Sequence, residues 1–228
     1  MRNDRLKWGI LGTGRIAASV LGAIRATSNG TVHAIASRDP ERAAAFATQH
    51  AVPVTHASYQ DLVGAVEATH PGYLALYAPG VGTRHGFSAE GFPTFSPPTI
   101  SRTRDLIERI CQRPMGIALH GSSGLTAEDL TSAVAAGVTK VNWSSESLLA
   151  RSHLAAAYYA SHQADLDAMS KAFKATAMDN GVQAAVSSGY IPTVVERMRI
   201  LGSAGRAAAC LAAAQVRPGS GTARQAQS

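Results

Sequence analysis

The chain has 228 residues, of which 46% are apolar and 16% charged, a composition typical of a globular protein with a sizeable core and no membrane span. Its net charge is +6, but the arginines are scattered without interleaved aromatic residues, so a small phosphorylated ligand or a solvated surface explains this charge better than nucleic acid. Two cysteines far from any metal spacing, with no export signal, favour a reducing cytoplasm.

The first predicted strand, residues 6–11, leads directly into a glycine-rich turn and then a helix. This turn reads G-x-G-x-x-A, in which the first glycine permits a tight bend and the second lets a pyrophosphate approach the backbone. The small third residue allows close packing of the helix, whose N-terminus faces the negative charge. The pattern predicts a dinucleotide-binding turn that contains Gly12, Gly14, Arg15 and Ala17.

A second predicted strand, Thr31–Ser37, ends next to Arg38. A carboxylate at this position would bind the ribose of NAD, whereas Ser37 and Arg38 suit the 2′-phosphate of NADP. The sequence therefore favours NADP as a cofactor. Asp39 is expected to cap the following helix, with Pro40 in its first position.

The next predicted elements are a helix over Pro40–His50, a short strand over Val52–Thr55 and a helix over Ser58–Thr69. The segments KWGILGTGRIA, AIASRDPERAAAFA and SYQDLV together resemble the N-terminal nucleotide-binding half-domain of the Gfo/Idh/MocA oxidoreductases, over about residues 5–63. This resemblance implies an NADP-dependent oxidoreductase. The family's Lys-Pro pair, whose lysine serves hydride transfer, does not occur in the chain.

A short apolar run, Met115–Leu119, predicts a buried parallel strand that ends at His120. A glycine-serine loop, Gly121–Gly124, follows and leads to a helix that begins near Thr126. In α/β proteins, ligands bind where strands end and helices begin. The loop offers backbone N–H groups to an anion, and His120 offers a metal ligand or a base.

From about residue 65 to 209 the chain resembles the last part of the class II, metal-dependent ketose-bisphosphate aldolases. The segments are AVEATHPGYLALYAPGVGTRHG, GIALHGSSGLTAEDLTSAVAAGVTKVN and RMRILGSAGRA. The resemblance implies that His85 and His120 bind a catalytic zinc ion. The family's third histidine, beside a catalytic aspartate, has no counterpart here, so the catalytic residue is unknown. The third metal ligand is open between His70, His56 and His33.

The same resemblance implies a set of residues that bind the substrate and its phosphate group. The family usually reads Asn-x-Asp-Thr after its last strand, and this chain reads Asn142-Trp143-Ser144-Ser145 instead. Arg206 lies in a motif that the family keeps and is a further candidate for the phosphate. The implied substrate residues are Gly86, Gly121, Ser122, Ser123, Asn142, Ser144 and Ser145.

These elements predict an α/β fold with a parallel sheet of about six βα units, a Rossmann-like half joined to the last three units of a TIM barrel. Strands at 73–78, 115–119 and 138–142 would continue the first three in one open sheet, with Gly12–Ala17 and His85 beside the switch point. Two incomplete lobes with exposed edges are the alternative. Phe87–Thr99 is expected to be a loop that covers the sheet or acts as a lid.

The predicted domains are residues 1–64, the Rossmann-like half, residues 65–216, the aldolase-like region with a helical C-terminus, and residues 217–228, a disordered tail. The C-terminal helices are expected over Glu146–His162, Gln163–Met178 and Pro192–Ala214.

The function predicted from these patterns is that of a class II aldolase-like protein, with zinc, an incomplete site and a phosphorylated ketose such as fructose or tagatose bisphosphate. The alternatives are an NADP-dependent oxidoreductase and an inactive hybrid that binds phosphates or nucleotides. The expected partner is a small phosphorylated molecule rather than nucleic acid or a membrane. A homodimer is one of the assemblies that the sequence allows.

Overall fold

Parallel strands alternate with helices through the first two thirds of the chain, and helices alone follow. The structure is a computed structural model that describes residues 5–84, 86, 92, 94–168, 176 and 180–216. The predicted tail, 217–228, lies outside the described residues. The elements are β1 (Leu6–Leu11), α1 (Arg15–Arg25), β2 (Gly30–Ala36), α2 (Pro40–Gln49), β3 (Val54–His56), α3 (Tyr59–Thr69), β4 (Leu76–Tyr77), α4 (Pro97–Cys111), β5 (Gly116–Leu119), α5 (Ala127–Ala135), β6 (Val138–Val141), α6 (Ser145–Ser161), α7 (Gln163–Ala168), α8 (Asn180–Ile200) and α9 (Ala207–Val216).

Side-chain caps fix the starts of three helices. The Asp39 carboxylate accepts hydrogen bonds from the backbone N–H groups of residues 41 and 42, at 3.0 and 3.2 Å. Ser58 Oγ accepts from the Asp61 N–H at 3.1 Å, and Thr126 forms a capping box with Asp129. Each cap satisfies helix N–H groups that lack a partner within the helix. The predicted starts of α2, α3 and α5 are therefore confirmed.

The first sheet contains β1, β2 and β3 in that order, all parallel. One face packs against α1 and α2, with Ile10, Leu21 and Phe46 in one buried cluster. The other face packs against α3, where Leu62 contacts the buried residues Ala34 and Ala36. Helices on both faces of this strand order give the topology predicted for a Rossmann-like half.

The second sheet contains β4, β5 and β6, with β5 in the centre. The prediction of one continuous six-stranded sheet is wrong, because β4 pairs with β5 and not with β1. A cavity of about 330 Å³ lies beside β1, lined among others by Leu11, Val63 and Leu74. β4 has only two residues, so it forms a short edge of the second sheet.

Helix α3 contributes to two separate hydrophobic clusters. Leu62 belongs to the cluster on the first sheet, and the next residue, Val63, packs with Ile107, Cys111 and Met115 around α4 and β5. Burial in this second cluster raises the pKa of the Cys111 thiol above its usual value. The predicted junction between the two sequence patterns therefore falls in a helix whose neighbouring residues serve different sheets.

An ion pair adds a polar contact to the same region. Arg113 donates to both carboxylate oxygens of Glu67 on α3, at 3.0 and 2.9 Å. These hydrogen bonds are the main reason why the pKa of Glu67 lies below its usual value, and a hydrogen bond from the Gly72 N–H adds to the effect. The pair links the C-terminal half of α3 to the segment that enters β5.

The boundaries predicted for α4 and α8 differ from the structure. α4 begins at Pro97, inside the loop predicted over Phe87–Thr99, because proline is well tolerated in the first turn of a helix, where its missing N–H has no partner to lose.

α8 continues through Pro192, and the predicted helix to Ala214 is interrupted after Ile200. Gly202 and Gly205 adopt positive φ angles of 68° and 74°, which end α8 before α9 begins.

The chain divides into two compact units. The first contains residues 1–79, 98–118 and 137–140, and the second contains residues 80–97, 119–136 and 141–228. The predicted boundary between residues 64 and 65 falls within α3 and stays a prediction. Within the described part of the chain, every helix is too short or too polar to cross a membrane.

Candidate functional site

The loops that follow β5 and β6 are joined at the carboxyl ends of these strands, in the second unit. The Asn142 N–H donates to the Leu119 carbonyl at 2.9 Å, which continues the strand pairing by one step. Ser122 Oγ then donates to the Asn142 carbonyl at 2.8 Å. The predicted substrate residues of the two loops are thus brought together, as expected for the carboxyl edge of a parallel sheet.

His120 and Asn142 form the exposed part of this site. The Asn142 amide nitrogen lies 3.1 Å from His120 Nδ1 and 3.0 Å from Nε2. His120 is exposed, and Asn142 is half-buried. An imidazole and a primary amide side by side offer both donors and acceptors to a polar ligand.

Gly121 allows a third segment to reach the site. Its φ angle is +66°, and a Cβ atom there would lie 2.5 Å from the Arg84 carbonyl oxygen. Thr83 Oγ1 also donates to the His120 carbonyl at 2.7 Å. The segment after β4 therefore contacts the loop after β5, and only glycine fits between them. The predicted ligand His85 lies outside the described residues, while Gly86 has an open environment.

Ser122 and Ser123 are almost completely buried, at 0% and 3% exposure. Ser123 Oγ accepts a hydrogen bond from the Glu146 N–H at 3.1 Å, so both hydroxyl groups have partners within the protein. Their side chains organise the loop. Backbone N–H groups are then the part of this loop that an anion would contact.

Helix α6 begins beside the same loop. Ser144 occupies the N-cap position without a side-chain cap, and Ser145 is the first helical residue. The N-terminus of a helix carries partial positive charge and N–H groups that lack an intrahelical partner. The two predicted serines thus lie where a phosphate group would be stabilised.

Three residues that the sequence did not point to surround this helix start. Arg197 of α8 pairs with the Glu146 carboxylate at 2.6 Å, and its guanidinium lies 4.7 Å from the centre of the Trp143 ring. Trp143 Nε1 donates to the same carboxylate at 2.9 Å. Arg197 belongs to the segment RMRILGSAGRA, in which the resemblance implies Arg206 as the phosphate ligand instead. The structure leaves Arg206 exposed at the start of α9.

The described residues do not form a complete zinc site. Among them there is no group of three or more His, Cys, Asp or Glu residues placed to hold a metal ion. A catalytic zinc usually has three protein ligands, and His120 is one candidate. The candidate third ligands His33, His56 and His70 belong to the first unit, where they line one cavity.

The glycine-rich turn that the sequence predicts to bind a dinucleotide lies in the first unit. Gly12 has a φ angle of +97°, Gly14 is the N-cap of α1, and Ala17 is buried against the sheet. Ser37 is buried and accepts a hydrogen bond from the Asp39 N–H at 3.3 Å, so its hydroxyl already has a partner. Arg15 and Arg38 are exposed. NADP binding stays a prediction.

Comparison with known proteins decides between the two resemblances for most of the chain. The sequence model of the family described as "Fructose-bisphosphate aldolase class-II" matches residues 21–206. The chain belongs to this family. The match begins inside α1, so it includes most of the region that resembles the oxidoreductases. A search of curated protein sequences finds no match.

Solved structures of aldolases are similar to the chain. The fructose-bisphosphate aldolase of Campylobacter jejuni has a TM-score of 0.51 at 13% identity, over 86% of this chain and 60% of that one. The YdjI aldolase of Escherichia coli K12 has a TM-score of 0.42 at 17% identity, over 84% and 55%. The chain thus spans little more than half the length of these two aldolases. The likeness to the Campylobacter enzyme shows an aldolase-like α/β fold.

An oxidoreductase also appears among the similar structures. The myo-inositol 2-dehydrogenase of Lactobacillus plantarum has a TM-score of 0.32 at 11% identity, over 60% of this chain and 36% of that one. A TM-score this low does not establish a shared fold.

Proposed function

We propose that the chain binds a phosphorylated ketose, such as fructose or tagatose bisphosphate, at the carboxyl ends of β5 and β6. The observation that carries this proposal is the joining of the two loops, in which Ser122 and Asn142 share a hydrogen bond and Ser123 binds the start of α6. A glycine-serine loop and a helix N-terminus then lie side by side. Membership of the aldolase family supports the same class of ligand.

The phosphate group would be held by backbone N–H groups of Gly121–Gly124 and of the first turn of α6. Glu146 lies in that turn and would repel an anion, but its carboxylate is paired with Arg197. The ion pair therefore reduces the repulsion. The Glu146 N–H is already bonded to Ser123 Oγ, so the other N–H groups of this turn would contact the phosphate. Asn142 and His120 would contact the hydroxyl and carbonyl oxygens of the sugar.

Zinc belongs to this proposal as the family's usual metal, and it would polarise the carbonyl of the bound ketose. The described donors do not complete its site, and no catalytic residue is assigned. His120 is the residue whose replacement tests the metal. A His120→Ala variant is expected to contain less zinc than the wild type after purification, and equal zinc content would contradict the metal role of this histidine.

Calorimetric titration with fructose 1,6-bisphosphate tests the ligand. We expect saturable binding to the wild type and a loss of at least about tenfold in Asn142→Ala, because a polar contact in the site is removed. Asn180→Ala, an exposed residue at the start of α8, is the matched control and should bind like the wild type. The same samples, with added zinc, are assayed for cleavage of fructose and tagatose 1,6-bisphosphates.

Lack of binding at millimolar ligand, or equal binding by the Asn142→Ala variant, would overturn the proposed ligand site. Binding without cleavage would keep the ligand site and show that the metal and catalytic groups are incomplete.

A further inference from the structure

A second cavity, of about 260 Å³, lies on the face of the first sheet that α3 covers. It belongs wholly to the first unit and includes none of the residues assigned to the phosphorylated ketose. Its polar lining comprises Lys7, His33, His56, His70, Thr69 and the indole of Trp8, and none of the described residues that line it is acidic. Its apolar lining includes Val54, Leu62, Ala65 and Val66.

The strands explain why basic side chains meet there. Side chains alternate between the two faces of a strand. Lys7 therefore shares a face of β1 with Gly9, whose Cβ position would be 3.0 Å from Leu62 of α3. His56 of β3 is paired in register with Ala36, which packs against Leu62. Both side chains are thus directed to the side of the sheet where α3 lies.

His33 lines the same cavity and lies beside an irregularity in β2. Trp8 pairs with Val32 and Gly9 with Ala34, so His33 is an extra residue in a β-bulge. A bulge redirects a side chain and is frequent beside functional sites. Val32 is buried in the cluster with α1 and α2, so ordinary alternation directs His33 to the side of α3, and the extra residue places Ala34 on that side as well.

The basic groups of the cavity have unused hydrogen-bonding capacity. The side chains of Lys7, His33 and His56 form no hydrogen bond, ion pair or ring contact with any other described residue. An ammonium group has three donors, and an imidazole keeps at least one N–H donor in either protonation state. Basic groups gathered without an acidic residue create a positive potential, which attracts an anion.

We propose that this cavity binds a small organic anion with an apolar body. The anionic group would be held by Lys7 and the imidazoles of His33 and His56, and the apolar body would contact Val54 and Val66. This division into a few polar groups and an apolar wall is typical of small-molecule sites. The volume admits a molecule of the size of an aromatic or short aliphatic acid.

Calorimetric titration of the full chain with benzoate, using benzyl alcohol as the neutral probe, tests the proposal. We expect saturable binding of benzoate and binding of benzyl alcohol that is at least about tenfold weaker, because the contact with a charged group is lost. Lys7→Met and His56→Gln should each weaken benzoate binding by about tenfold. His153→Gln, an exposed histidine on α6, is the matched control and should leave it unchanged.

A third variant tests the apolar part without removing a charge. Ala65→Leu adds side-chain volume to the wall of the cavity and should reduce benzoate binding, while Asn142→Ala in the ketose site should not. Circular dichroism of each variant confirms that the helices are intact. Benzoate binding that is absent, that is matched by benzyl alcohol, or that survives in both Lys7→Met and Ala65→Leu would overturn the proposal.

Discussion

Gly121 combines two constraints that can be separated by experiment. Its φ angle of +66° disfavours any side chain, and the Arg84 carbonyl leaves no space for a Cβ atom. Gly202 has nearly the same φ angle, +68°, but its Cβ position has no neighbour within 4 Å. The two glycines therefore share the backbone cost of a substitution and differ in the steric cost.

We expect Gly202→Ala to reduce the free energy of unfolding by about 1–2 kcal/mol, the cost of a left-handed conformation. Gly121→Ala should reduce it by about 2–5 kcal/mol, because the contact with Arg84 adds overpacking to the same backbone cost. Urea denaturation followed by circular dichroism measures both values. Equal losses in the two variants would show that the loop after β4 yields freely and does not fix the position of His120.

The contacts of Arg197 in the site are not predictable from the sequence. Its side chain is only 11% exposed, and its guanidinium meets a carboxylate, an aromatic ring and the Ser122 carbonyl at 3.5 Å. Arg199, two positions away, is 67% exposed and, among the described residues, forms an ion pair only with its helical neighbour Glu196. Nothing in the sequence separates these two arginines, because the distinction depends on which of them faces the loop after β5.

At the scale of elements, α3 contacts the region of the second sheet through the Glu67–Arg113 ion pair as well as through apolar packing. The hydrogen bonds from Arg113 keep the pKa of Glu67 below its usual value, so the folded state favours the ionised carboxylate. The ion pair contributes its full stabilisation of the folded state at pH values above the pKa of Glu67 in the unfolded chain. It is lost as the pH falls through the lower pKa of the folded state.

The melting temperature of the wild type should therefore fall more steeply below about pH 4.3 than that of Glu67→Gln, because glutamine has no charge that acid could remove. Arg113→Met should flatten the acid limb in the same way, because the carboxylate then lacks its partner. Glu41→Gln, on α2 and without an ion-pair partner among the described residues, is the control and should follow the wild-type curve. Parallel curves for the wild type and Glu67→Gln would contradict the role of the pair.

At the scale of the whole molecule, β1 is an edge strand with several exposed apolar side chains. Within the described residues no strand pairs with its outer edge. Leu6 and Leu11 are 57% and 44% exposed. An edge that combines free N–H and C=O groups with apolar side chains favours association between chains. This edge is therefore where we expect two copies to meet.

We expect a Leu6→Lys, Leu11→Lys double variant to associate less than the wild type at the same concentration, since charged residues on an edge oppose strand pairing. Leu148→Lys, Leu149→Lys is the matched control, because these leucines have similar exposure, 58% and 44%, but lie on helix α6. Sedimentation velocity measures the change in association. A larger effect for the helix pair would place the contact elsewhere.

Local features of the fold were predictable because they depend on neighbouring residues. Asp39, Ser58 and Thr126 each stand directly before a helical pattern, and each forms the expected cap. The joining of the loops at Ser122 and Asn142 also followed from the pattern, since the carboxyl ends of adjacent parallel strands share one edge.

The number of sheets was not predictable in this way. Whether β4 pairs with β1 depends on contacts between distant segments, and the apolar run at residues 73–78 yields a strand of only two residues. The helix through Pro192 and the contacts of Arg197 depend in the same way on tertiary packing. Patterns of single residues do not encode such pairings.

The position of α3 has a consequence for how the first unit loses its structure. Because Leu62 and Val63 serve different clusters, detaching the helix from one sheet exposes apolar surface on the other as well. Unfolding of either sheet therefore also exposes apolar surface in the cluster of the other sheet, which raises the free energy of opening either one. We therefore expect the two three-stranded sheets to unfold cooperatively. Each sheet is then more stable than it would be in isolation.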